Sequence, residues 1–158
     1  MTAIDAMPSP SAVSARRHAW AVLLKAHARL VDRVEAALQE AGLPPLAWYD
    51  VLWSLETVGE GRLRMNELAE RVVLSKSNLS RLADRLEAAG LIRREPSPGD
   101  RRGYYCAITA EGRAMRKTMW PVYRRQIDRL FGRHVTDDEA RIVGACLERV
   151  AATAREHG

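Results

Sequence analysis

Residues 76–90, "KSNLSRLADRLEAAG", gather Lys76, Ser77, Asn78, Ser80, Arg81 and Arg85 within ten positions, with Ser75 just before them. These are the side chains that read a major groove: Asn pairs with adenine, Arg with guanine, and Ser with base edges or phosphate. They cluster at a helix start, where free backbone N–H groups also favour phosphate. A second stretch, "SPGDRRGYYCAIT" (97–109), sets Asp100, Arg101 and Arg102 between a Pro-Gly pair and a β-like run. A hairpin tip cannot bury two adjacent cations, and lone exposed charges add little stability, so an outside partner is expected to meet them. An arginine there would read the width and negative potential of a minor groove. Asp100 would either hold the Arg102 guanidinium in a fixed fork or merely turn the chain beside two solvated arginines.

The charge balance fits a polyanionic partner. The whole chain carries +5, and residues 62–105 hold ten cations against six acids, or +4. Taken singly, the same residues also describe a solvated helix face, with Arg81, Asp84 and Arg85 in surface ion pairs. With 158 residues and 47% apolar composition, the chain can bury a core and is not expected to be disordered. No Ser-His-Asp order, metal cluster, phosphate loop or useful carboxylate pair supports catalysis. The chain is therefore expected to be no enzyme and to need no metal or cofactor. Cys106 and Cys146 form no CxxC pair, and they read as small apolar fillers of a reduced, cytoplasmic protein. The first residues lack the apolar core of a signal peptide, and with no run of 18 apolar residues no transmembrane helix is expected.

The elements that would position these groups follow from periodicity and caps. Pro8, Ser9, Pro10 and Ser11 predict a flexible lead-in over residues 1–12. Apolar residues at three- and four-residue steps predict a helix over 14–41, ended by Gly42 and Pro44-Pro45, and a second over 46–56. "NELAERVVLS" predicts a short helix capped by Asn66, and Ser75 caps the next, which Gly90 ends. "LIRRE" and "GYYCAIT" predict a hairpin. Thr109 caps a long helix to about 132 with a kink expected at Trp120-Pro121. Thr136 and Glu139 form a capping box before a last helix to about 155. The first helix and the last two span roughly 42, 35 and 29 Å. Their apolar stripes exceed what the middle unit can cover, and a second copy is the simplest supply.

Residues 66–113 resemble the winged helix-turn-helix of the MarR family, through "LAERV", "SNLSRLADRLEAAGLIRR", "DRRGYY" and "ITAEG". The resemblance extends over about residues 14–155. It implies a mainly α fold with a small β-hairpin wing. A winged helix-turn-helix DNA-binding lobe (46–109) would join a helical dimerisation region (13–45 and 110–158). It further implies a homodimeric regulator of transcription that binds a palindromic operator in double-stranded DNA. Such a protein would be a repressor released by a small aromatic or phenolic ligand. The alternative is a general DNA-binding or architectural protein without an effector.

Residue by residue, Asp100 and Arg102 match the family's wing Asp-x-Arg, and Arg81 a recognition-helix arginine. Ser75, Ser77, Asn78 and Ser80 match variable contact positions. The first, second and fifth helices border the family's effector pocket, which makes Trp20, His27, Trp48, Tyr49, Trp53 and Trp120 candidate lining residues, with Tyr123 close by. Aromatic walls with Arg or His nearby suit an aromatic carboxylate or phenol. The same side chains equally serve as plain core and dimer contacts, His27 as a satisfied core histidine.

Overall fold

Each long amphipathic segment carries its own start and stop signals, and these set the helix ends. The computed structural model describes residues 14–72, 74, 76–99 and 103–156, and the predicted lead-in over 1–12 lies outside them. α1 (Ala15–Glu40) starts where the Ser14 hydroxyl accepts the Arg17 N–H. It ends at Gly42, whose φ of +67° lets the Leu43 N–H reach the Leu38 carbonyl at 2.9 Å, the closure that glycine makes cheap. Only its second half is buried, through Val34 and Leu38. α2 (Leu46–Glu56) follows Pro45, and its first N–H, that of Leu46, donates to Glu35 Oε1 of α1 at 3.0 Å. A carboxylate at a helix N-terminus satisfies an orphan donor and complements the helix dipole.

The middle of the chain folds as helix, turn, helix and sheet. β1 (Arg62–Arg64) leads into α3 (Met65–Arg71), and α4 (Lys76–Ala88) follows. Asn66 does not cap α3, as the sequence predicts. Arg64 holds the cap position, and its N–H is taken by Glu67 Oε2 at 2.8 Å. A carboxylate in the first turn has replaced the usual capping side chain. α4 ends as predicted at Gly90, with φ +75° and a Leu91 N–H to Leu86 carbonyl bond of 2.9 Å.

The predicted hairpin is β2 (Ile92–Pro96) paired antiparallel with β3 (Tyr104–Ile108). It is the larger part of a three-stranded sheet in the order β1-β3-β2. β1 has only three residues and one buried side chain, Leu63, so its alternation is too short to announce a strand.

α5 (Ala110–Leu130) runs unbroken across Pro121. A 3-10 turn at Gly132–His134 leads to α6 (Asp137–Glu156). The predicted capping box is present: Thr136 N–H donates to Glu139 Oε2 at 2.8 Å, and Glu139 N–H to Thr136 Oγ1 at 3.3 Å. The Thr136 N–H, and then the Thr136 hydroxyl donating to Oε2 at 3.0 Å, hold the Glu139 carboxyl below its ordinary value.

Two apolar cores result. One lies under the sheet and α4, around Leu52, Leu68, Leu86, Ile92 and Cys106. The other is smaller, Val34 and Leu38 of α1 against Tyr49 and Met119. α2 serves both, with Val51, Leu52 and Leu55 in the first and Tyr49 in the second.

The start of α5 fixes how the two cores meet. Thr109 Oγ1 accepts the Gly112 N–H at 3.0 Å and donates to the Gly90 carbonyl at 2.7 Å, while Thr109 N–H reaches the Leu91 carbonyl at 3.1 Å. A Cβ on Gly112 would lie 2.1 Å from the Leu91 carbonyl oxygen. Gly112→Ala should therefore lower stability by about 1–3 kcal/mol, overpacking against backbone outweighing the gain in helix propensity. Chemical denaturation measures this, and an unchanged midpoint would contradict the close approach.

Candidate nucleic-acid interface

Burial divides α4 into two sides. Leu79, Leu82, Ala83 and Leu86 enter the core. Ser77, Asn78, Arg81 and Arg85 are exposed, the last three at positions i, i+3 and i+7 that share a face. Arg85 folds along its own helix, its Nε donating to the Arg81 carbonyl at 3.4 Å. Ser80 differs from its neighbours. It is half-buried and lines a cleft of about 290 Å³ with Met65, Asn66, Leu79 and Tyr104. Lys76 opens the helix. Ser75, Asp100, Arg101 and Arg102 lie outside the described residues. The strands that deliver the wing tip are held together at its base, where the Ser97 N–H donates to the Gly103 carbonyl at 3.2 Å.

The basic block is less uniformly positive than its sequence. Asp84 does not pair with Arg81 or Arg85, its helix neighbours. Arg94 of β2 takes it at 2.6 Å, and also lies 3.5 Å from Glu87. Arg62 sits between Glu60 and Glu95, and Arg93 binds Glu95 at 2.9 Å. Arg93 and then Arg62 hold the Glu95 carboxyl below its ordinary value. On the outer face of the sheet, the Arg62 and Arg64 guanidiniums lie 4.7 and 5.3 Å from the centre of the Tyr105 ring. Arginines of the sheet are thus engaged internally, while α4 turns its own exposed polar side to solvent.

Cys106 behaves as the apolar filler the sequence predicts. It is fully buried, its thiol lies 3.1 Å from Met65 Sδ, and burial pushes its pKa up to about 11, which removes thiolate reactivity at neutral pH. Cys146 is exposed on α6. Among the described residues, no group of three or more His, Cys, Asp or Glu is arranged to hold a metal. No helix among them is long and apolar enough to cross a membrane.

The aromatic candidates separate into three environments. Tyr49, Trp53 and Trp120 come together where α2 meets α5. Tyr49 stacks on Trp53 and Trp120 at 6.4 and 6.1 Å, and Tyr123 meets Tyr49 edge-on at 5.0 Å. Arg116 lies over Trp53 at 5.3 Å and forms an ion pair with Glu56 of α2. Trp48 instead packs against the core beneath the sheet. Trp20 is 58% exposed, and His27 is also exposed, on the first half of α1. An apolar cleft of about 200 Å³ between α1 and α5 is lined by Leu30, Val34, Tyr123, Gln126 and Phe131, among others, and by none of the six candidates.

Asp50, available with Trp20 as a polar pocket residue but not relied on from sequence, gains a context only in the fold. It is part-buried on α2, where burial and then the Glu35 charge push its carboxyl up to about 6. Its placement beside Glu35 depends on how α1 crosses α2, which no local pattern reports.

This geometry has close counterparts among known proteins. The model of the MarR family matches residues 41–103. The HTH-type transcriptional regulator MhqR of Bacillus subtilis is 25% identical over 135 residues, covering 85% of this chain and 90% of its own. AbsC, a MarR family transcriptional regulator from Streptomyces coelicolor, has a crystal structure that matches with TM-score 0.81 at 28% identity, covering 92% of this chain and 98% of that one. Sco3205, a MarR family regulator from the same organism, was crystallised in complex with DNA. It matches with TM-score 0.82 at 28% identity, covering 90% and 94% of the two chains.

Asp50 makes a signed pH prediction. Its folded pKa of about 6 lies above the ordinary value of 3.8, so the fold favours the neutral carboxyl. Its contribution to stability is present below about pH 4 and is lost as pH rises to about 6. Asp50→Asn should match the wild-type melting temperature at pH 4 and exceed it at pH 7.5, by about 2–4 °C per kcal/mol recovered. Equal melting temperatures at pH 7.5 would refute the assignment.

Proposed function

We propose that the chain is a DNA-binding transcriptional regulator of the MarR type, and that it acts as a homodimeric repressor of a palindromic operator, released by a small aromatic or phenolic ligand. The observation that carries the DNA reading is the two-sided α4, buried by leucines on one side and presenting Ser77, Asn78, Arg81 and Arg85 on the other. α4 would enter the major groove from its N-terminal end, where Ser75 and Lys76 add contacts. Asp100, Arg101 and Arg102 would carry the wing into the flanking minor groove, with Asp100 orienting Arg102. That Sco3205 was crystallised in complex with DNA supports the reading that the chain binds DNA.

The dimer reading rests on unpartnered apolar surface. Ile142, Leu147 and Val150 of α6 are 65%, 38% and 50% exposed, and Trp20, Val22 and Leu24 of α1 are 58%, 47% and 51% exposed. A lone soluble subunit rarely leaves this many large apolar side chains in water, and a second copy would cover them. Residues 13–45 and 110–158 would form the dimer region and 46–109 the DNA-binding lobe, with α2 as the wall between them. Ligand release would act at the cluster of Tyr49, Trp53 and Trp120, because a molecule wedged between α2 and α5 tilts the lobe and changes the spacing of the two α4 helices. Moving from mostly bound to mostly free takes several kcal/mol of preference for the tilted state.

Two α4 helices should read half-sites about 34–36 Å apart and prefer their palindrome over random DNA by roughly 10³ or more. Arg102→Ala should weaken operator binding by about 1–3 kcal/mol, and an unchanged gel shift would refute the wing assignment. Leu147→Glu should convert the dimer to monomers in sedimentation and abolish operator binding at concentrations where the wild type saturates. A wild-type protein that sediments as a single subunit would overturn the dimer.

A further inference from the structure

One side chain joins the wing to α4. Arg94 lies on the sheet face turned toward the core, directly opposite buried Cys106 of β3. From there its Nη2 donates to Asp84 Oδ1 at 2.6 Å, its Nη1 lies 3.5 Å from Glu87 Oε1, and its backbone N–H donates to Glu87 Oε2 at 2.9 Å. The guanidinium also sits 5.1 Å from the centre of the Tyr104 ring, at the root of the wing. Asp84 and Glu87 are three positions apart and therefore neighbours on α4. Their side chains are 61% and 40% exposed, while that of Arg94 is 24% exposed.

Two exposed carboxylates on a helix that approaches phosphates are a liability, because like charges brought together across an interface cost affinity and specificity. They are also the only acids on α4. Neither pairs with Arg81 or Arg85 of its own helix, and both converge on an arginine from another element. A planar fork can hold two carboxylates at a set angle, which the single point charge of a lysine cannot.

We propose that Arg94 is a positioning residue for DNA binding, which holds α4 at a set angle to β2 and cancels the two carboxylates that would otherwise face the duplex. The proposal rests on the reading that α4 and the wing grip DNA together. It assigns the wing sheet a second task besides carrying Arg102 to the groove: making the helix beside it acceptable to phosphate.

The test compares wild type with three full-length variants on two duplexes, one recovered from a randomised-site selection with wild-type protein and one of random sequence. Arg94→Gln should weaken binding to both by about tenfold or more through the uncovered acids. Adding Asp84→Asn and Glu87→Gln to it should return random-duplex affinity to the wild-type range, while preference for the selected duplex stays reduced. Arg94→Lys should keep random-duplex affinity and lose preference. A residue that only supported the fold would not have its loss repaired by removing the acids it binds. Wild-type affinity in folded Arg94→Gln, or no repair in the triple variant, would overturn the proposal. Should Arg94→Gln alone fail to fold, the Lys variant decides, and wild-type preference in it overturns the positioning role. A wild-type protein that binds neither duplex would bring down the underlying DNA reading, visible before any variant is compared.

Discussion

The architecture depends on α2 being buried from two sides at once. Its Val51, Leu52 and Leu55 complete the core beneath the sheet, and Tyr49 completes the core between α1 and α5. A helix that fills two cores cannot shift in one without disturbing the other, because close-packed interiors transmit displacement rather than absorb it. The Glu56 carboxylate, held by Arg116 and Arg113 of α5, sits at the same seam. So does the first turn of α5, seated against the Leu91 carbonyl with no room for a side chain on Gly112. The long helices and the unit of α3, α4 and the sheet are thus coupled through packing and charge.

Charge is partitioned by the fold in a way composition conceals. Among the cations of residues 62–105, Arg62, Arg93 and Arg94 are bound to Glu60, Asp84, Glu87 and Glu95. The sheet's arginines thus answer acids of their own strand and of α4. A net charge of +4 for the block is correct as a sum. What meets a duplex is decided by which charges are already answered from within.

The residues whose chemistry is local were legible beforehand. Gly42 and Gly90 end their helices through positive φ, Thr109 caps α5, and Thr136 with Glu139 boxes the start of α6, because capping involves residues three to five positions apart. The stripe Leu79, Leu82 and Leu86 announced the buried side of α4, and so its exposed side, by periodicity alone. The cap of α3 was misread because Glu67 answers the Arg64 N–H, a bond that makes Asn66 unnecessary. β1 was missed because three residues cannot display an alternation, and its partner β3 lies about 40 positions away.

The sequence by itself determined the helical segments, most of their ends, the helix-turn-helix pattern and the polar character of the exposed side of α4. All of these follow from steric and hydrogen-bonding rules that act within a few residues. Only the tertiary structure decided that Tyr49, Trp53 and Trp120 cluster while Trp20, His27 and Trp48 go elsewhere, since α2 and α5 are brought together across some 60 residues of chain. It alone paired Asp84 with Arg94 instead of Arg81, and set Asp50 against Glu35. Long-range partners depend on how elements cross, and crossing angles are set by the shape of buried surfaces, which no short window of sequence contains.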